Sequence, residues 1–130
     1  MAQQTQMKHI LLAIYITVWS GLCCFAQNTF QQTYGGTGTD TPGSVEQTTD
    51  GGYIIAGSTT SFGAGFYDVY LVKTASDGSV QWSKTFGAAG STDFGYSVQQ
   101  TNDGGYIITG RTNIGGAGQK YSNVYLVKAS

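Results

Sequence analysis

The side chains best suited to chemistry in this chain are oxygens set in glycine-rich loops. Gly35-Gly36-Thr37-Gly38-Thr39-Asp40 matches the first six positions of a calcium-binding nonapeptide. Such a site needs tandem copies, because oxygens from successive turns share each hard cation. The corresponding stretch at 87–93 reads GAAGSTD and breaks the pattern, and Pro42 stands where an apolar strand residue belongs. The expectation is therefore a glycine-rich loop with no metal site. The aspartates come in pairs. Asp40 and Asp93 each precede a repeated serine by four residues, and Asp50 and Asp103 sit in repeated turns. Two carboxylates can hydrolyse a glycoside when one is protonated and the other ionised. Carboxylates at one station of two repeats share one environment, so turn and loop capping is the expected role. Glu46 becomes Gln99 and Asp68 becomes Asn123 in the second copy. Amides of the same shape point to hydrogen bonding rather than charge.

Nucleophiles and soft ligands are scarce. The single histidine, both cysteines and both methionines lie within residues 1–26. Residues 27–130 therefore hold no Ser-His-Asp or Cys-His arrangement and none of the usual nitrogen and sulfur ligands of zinc or copper. No glycine-rich phosphate loop follows a strand and opens a helix. No catalytic residue, cofactor or metal ligand is expected, and the chain reads as not an enzyme. Five cationic side chains face seven carboxylates in 27–130, which gives no electrostatic footprint for nucleic acid or anionic lipid. Tyr53 and Tyr106, and Tyr70 and Tyr125, are equivalent between the copies and are expected to pack. Phe62, Phe66 and Tyr121 lie in or beside the loops that differ, at 58–67 and 111–122. They are the first choice for contact with an extracellular protein or glycan, because loops on a rigid β scaffold carry binding.

The elements that position these residues are repeated. Residues 44–57 read SVEQTTDGGYIIAG and 97–110 read SVQQTNDGGYIITG, with eleven of fourteen positions identical. VYLVK follows each copy, at 69–73 and 124–128. Asp-Gly and Gly-Gly supply the positive φ of tight hairpins. The spacing predicts strands over 44–48, 53–56, 68–74 and 80–86, then 97–101, 106–109 and 123–128. Thr29–Tyr34 aligns with Gln81–Phe86, so it is predicted as a stray outer strand. The units span about 44–86 and 97–130, within one repeat region over 27–130. Before it, Lys8 and His9 precede an apolar run from Ile10 to Trp19, and small or apolar residues lead to a predicted cut at Gln27. This is the layout of a secretory signal peptide over 1–26. A lipidated Cys23 or Cys24 and an uncleaved anchor are the other readings of that segment. After its removal no membrane span is expected, and the chain is predicted to be secreted or held at the cell surface.

Four-stranded antiparallel units repeating in series are the blades of a propeller. The fold class read from the sequence is all-β and β-propeller-like, with two blades' worth of strands. The run Trp82-Ser83-Lys84-Thr85-Phe86-Gly87, then Ser97-Val98-Gln99-Gln100-Thr101 with Asp103-Gly104-Gly105-Tyr106-Ile107-Ile108, then Val124-Tyr125-Leu126-Val127-Lys128, resembles the β-propeller repeats of secreted bacterial proteins, especially of the Bacteroidetes. The resemblance covers essentially all of 28–130. The resemblance implies a bacterial β-propeller; the duplicated unit, the export signal and the lack of catalytic side chains point to an exported, non-catalytic module for extracellular binding, adhesion or scaffolding. The alternative is part of a propeller enzyme, carbohydrate-active or quinone-dependent, with its active site on other blades. Two blades fall short of the number that closes a ring. The sequence thus points to a piece of a longer propeller, or to identical chains that associate to complete one. Ser76-Asp77-Gly78 with Trp82 resembles the Asp-box of sialidase-type propellers, a turn element rather than a catalytic one.

Overall fold

A computed structural model describes residues 29–113 and 121–130. The predicted signal peptide at 1–26 and much of the 111–122 loop lie outside the described residues. Each repeated Asp-Gly-Gly closes a hairpin. Gly51 donates to the Thr48 carbonyl and Thr48 to the Gly52 carbonyl, and Gly104 and Thr101 do the same in the second copy. Gly51 and Gly104 both sit at φ +81°, a conformation that costs a residue with a Cβ about 1–2 kcal/mol. These turns join β1 (Asp40–Gln47) to β2 (Tyr53–Thr59) and β5 (Thr92–Gln100) to β6 (Tyr106–Asn113). The next strands are β3 (Asp68–Thr74) and β4 (Val80–Phe86) in the first unit and β7 (Asn123–Ala129) in the second. Ala75–Ser79 forms the β3–β4 turn, in which the Asp77 carboxylate accepts from the Ser79 N–H and hydroxyl.

The described chain is all-β, with two antiparallel sheets ordered β1-β2-β3-β4 and β5-β6-β7. Their registers match: Tyr53 pairs with Gln47 and Thr74, as Tyr106 pairs with Gln100 and Ala129. A bulge interrupts β1 between Pro42 and Ser44, and another interrupts β5 at the same station, between Gly95 and Ser97.

The sheets stack face to face. Ile54, Ala56, Val69 and Leu71 of the first meet Val98, Tyr106, Ile108, Val127 and Ala129 of the second, with Trp82, Phe86 and Tyr125 packed against that core. Side chains alternate along a strand, so the two sheets use opposite faces. Tyr106, Ile108, Val127 and Ala129 correspond to Tyr53, Ile55, Val72 and Thr74, on the far side of the first sheet. We call the face bearing Tyr53 or Tyr106 the front, and that bearing Ile54 or Ile107 the back. The back of the first sheet packs on the front of the second, head to tail. At the bulges the backbones nearly touch. A Cβ on Gly43 would lie 2.2 Å from the Gly95 carbonyl oxygen, and one on Gly95 would lie 2.8 Å from that of Gly57.

Several expected strand bounds change, and so does one segment: β2 and β6 run past Ala56 and Thr109 to Thr59 and Asn113. Strand β1 begins at Asp40 rather than Ser44, because the bulge carries the ladder past Gly43, and β5 likewise begins at Thr92. Thr29–Tyr34, predicted as a strand, is irregular. It lies across the front of the first sheet, with Phe30 on Tyr53 at 5.8 Å and the Tyr34 hydroxyl donating to the Gly78 carbonyl. Among the described residues no strand runs beside it there to form a ladder, so its β-type sequence stays unpaired.

Candidate functional site

Strand ends opposite the Asp-Gly-Gly turns carry the variable loops. Asp40 organises the first of these. Its carboxylate accepts from the Thr59 hydroxyl, the Gly36 N–H and the Ser61 hydroxyl, tying loop 35–40 to 59–61. The Thr59 bond, then the Gly36 N–H, hold its pKa below the usual carboxylate value. The six-residue glycine motif thus ends in a carboxylate committed to its own loop. Among the described residues no three His, Cys, Asp or Glu side chains gather as metal ligands.

Asp68 and Asp93 are both buried, at 1% exposure. They flank Gly87, where a Cβ would meet the carboxylates of both. Asp68 accepts from the Gly65 N–H and Asp93 from the Ser91 hydroxyl, while the Ser91 N–H donates to the Ala88 carbonyl. Each aspartate therefore fixes a loop, Asp93 in the capping role expected of it and Asp68 by the hydrogen bonding that its exchange for Asn123 suggested. Their close approach around a glycine was not legible from spacing, because it joins the start of β3 to the start of β5.

The three aromatic residues singled out from the loops differ in setting. Phe66 is 58% exposed, and its N–H is held by the Ser91 carbonyl. Tyr121 is 79% exposed. Aligned through VYLVK, Phe66 and Tyr121 occupy one station, two residues before the third strand of each unit. The repeat thus presents an exposed aromatic ring from this one station of each unit, at the same end of the fold. Phe62 lies against Tyr70 at 5.4 Å on the front of the first sheet. A further array was missed by sequence reasoning: Tyr67 stacks on Phe94 at 5.0 Å, Phe94 on Tyr96 at 6.3 Å, and the Arg111 guanidinium lies 4.5 Å from the Phe94 ring. Its members come from three segments far apart in the chain, so no local pattern marks it.

At the opposite end, Asp50 and Asp103 do more than set turns. Asp50 accepts from the Thr48 hydroxyl, the Lys73 ammonium and the Gly52 N–H, and these hold its pKa far below the usual range. Asp103 repeats the set with Thr101, Lys128 and Gly105. Lys73 is buried and also donates to the Thr74 carbonyl and Gln81. Lys128 is 42% exposed along its side chain. Burial raises the phenol pKa of Tyr106 and Tyr125. Every buried side-chain polar atom among the described residues has a partner.

Two of the concave surfaces bear on binding. A groove of about 380 Å³ runs over the front of the first sheet, lined by residues including Tyr34, Pro42, Ile55, Tyr70 and Val72. A polar cleft of about 340 Å³ lies between the two equivalent turns, where Glu46 accepts from the Gln100 N–H and Gln100 from the Thr49 N–H. No family model, curated protein or solved structure matches this chain.

Proposed function

We propose that the chain is a non-catalytic, exported β-propeller-type repeat module that binds an extracellular protein or glycan through its loop end. The observation that carries this reading is the pair Phe66 and Tyr121. Both rings are exposed, both stand at one station of the repeat, and Phe66 is anchored by a backbone hydrogen bond to a neighbouring loop. Exposed aromatic rings on a rigid β scaffold offer large contact area at little conformational cost, and suit sugar faces or protein hot spots. The acidic side chains support the same reading. Asp40, Asp68 and Asp93 are engaged in holding loops, and Asp50 and Asp103 in turns that pair with lysines. The apolar run with its basic start at 8–19 supports export.

A glycan array, together with surface-binding assays on extracellular matrix and cell-envelope proteins, tests the proposal. Phe66→Ala and Tyr121→Ala are each expected to weaken a detected interaction by about two- to tenfold, with unchanged melting temperature. Binding that is indifferent to both substitutions would remove the loop-end reading.

A further inference from the structure

The head-to-tail stacking leaves two faces that complement each other. The back of the second sheet presents Val124 at 87% and Leu126 at 63% exposure, where their counterparts Val69 and Leu71 are fully buried. The front of the first sheet presents Val45, Tyr53 and Ile55 beside the apolar groove, where the counterparts Val98, Tyr106 and Ile108 are core residues. A back and a front of this kind are already joined once inside the chain.

The segment at 29–34 strengthens the match. By alignment Phe30 stands at the station of Trp82. Trp82 of β4 packs on Tyr106 with ring centroids 5.8 Å apart and planes at 57°. Phe30 packs on Tyr53, the counterpart of Tyr106, at 5.8 Å and 59°. Residues 29–34 therefore lie on the first sheet as β4 lies on the second. They occupy the place of the fourth strand of a preceding sheet. Among the described residues the second sheet has no such strand, and β7 is its free edge.

We infer that copies of this chain assemble head to tail by strand exchange. Residues 29–34 of one copy add to β7 of the next and complete its second sheet as a four-stranded blade. The β3–β4 register carries over, so that Gln32 lies opposite Leu126 and Gln31 opposite Val127, as Lys84 lies opposite Leu71 and Ser83 opposite Val72. The same step seats the back of one copy's second sheet on the front of its neighbour's first sheet. Within one chain the exchange is blocked, because 29–34 and the second sheet lie on opposite faces of the first. Propellers close with about four to eight blades, so two to four copies complete a ring. The joint between copies is looser than the one within. Pro42 replaces Gly95, Tyr96 replaces Gly43 and Arg111 replaces Ser58 at the closest approach, so the assembly depends on concentration. The inference rests on the repeat geometry and not on the loop-end binding role.

The test uses the full chain produced by an exporting bacterial host. Multi-angle light scattering from about 1 to 100 µM is expected to show a monomer passing to one closed oligomer. Leu126→Glu is expected to shift the assembly to monomer with its circular dichroism retained, since Leu126 is exposed in the single copy. Gln32→Cys with Leu126→Cys, in a chain also carrying Cys23→Ser and Cys24→Ser, is expected to give covalent multimers under mild oxidant. Three results overturn the inference. One is a folded chain that stays monomeric throughout the range, which would mean that a different occupant covers the sheet. Another is a double-cysteine chain that oligomerises without cross-linking. The third is a link formed only within single chains. Loss of glycan or protein binding in a chain that still forms the ring counts against the binding role alone.

Discussion

Lys73 and Lys128 occupy one station in two repeats, yet their surroundings differ. Both pair with the aspartate of the preceding turn at 2.9 Å. Only Lys73 is also roofed by Gln81 of a fourth strand. Lys73→Met is expected to lower stability by about 1–3 kcal/mol, because it takes the donor from the carbonyl of buried Thr74. Lys128→Met is expected to stay within about 0.5 kcal/mol, as exposed pairs do. Parallel thermal melts check the contrast. Asp50 and Asp103 carry a pH signature. Their folded-state pKa lies below the unfolded value of about 4 through hydroxyl, lysine and N–H bonds. Their contribution is complete above that value and is lost as pH falls from about 4 toward the folded pKa. Urea midpoints measured from pH 5 down to pH 2 are expected to fall, and to fall less steeply in the Asp50→Asn, Asp103→Asn double variant. The capping role of these aspartates was legible in the sequence from the adjacent glycines. The lysine partner was not, since it arrives from across the sheet, though an aspartate and a lysine recurring together in both copies was the available signal.

At the scale of elements, the turns carry most of the register. Gly51 and Gly104 share φ +81° and have nothing within 4 Å of a built Cβ, so a substitution there strains only the backbone. Gly51→Ala and Gly104→Ala are each expected to cost about 1–2 kcal/mol, and to cost nearly the same, which denaturant titration would show. Hairpins and third strands could be read from sequence because Asp-Gly-Gly fixes a turn and Tyr-Ile-Ile and Val-Tyr-Leu-Val fix the strands beside it. The starts of β1 and β5 could not. A bulge at Gly43 or Tyr96 carries the ladder through residues that read as loop, including a proline at a sheet edge where its missing N–H goes unneeded. Thr29–Tyr34 shows the converse: alternation and alignment describe a strand, but a strand exists only beside a partner.

At the scale of the molecule, the core is a single contact between unlike faces. Leu71→Ala is expected to cost about 2–5 kcal/mol, whereas Leu126→Ala, at the same station of the second unit, is expected to change dilute-solution stability by no more than about 0.5 kcal/mol. The difference comes from stacking order alone, which the sequence implied through its two copies but could not assign to faces. That order has a genetic consequence. The two copies are nearly identical over fourteen residues, so unequal crossing-over between them inserts or deletes one whole unit in frame. Because a back and a front of the repeat already meet once inside the chain, an inserted unit that keeps the glycines at the closest approach offers that same joint. The number of repeat units can therefore drift without a new interface having to evolve, and selection is left to act on the few residues in which the copies differ.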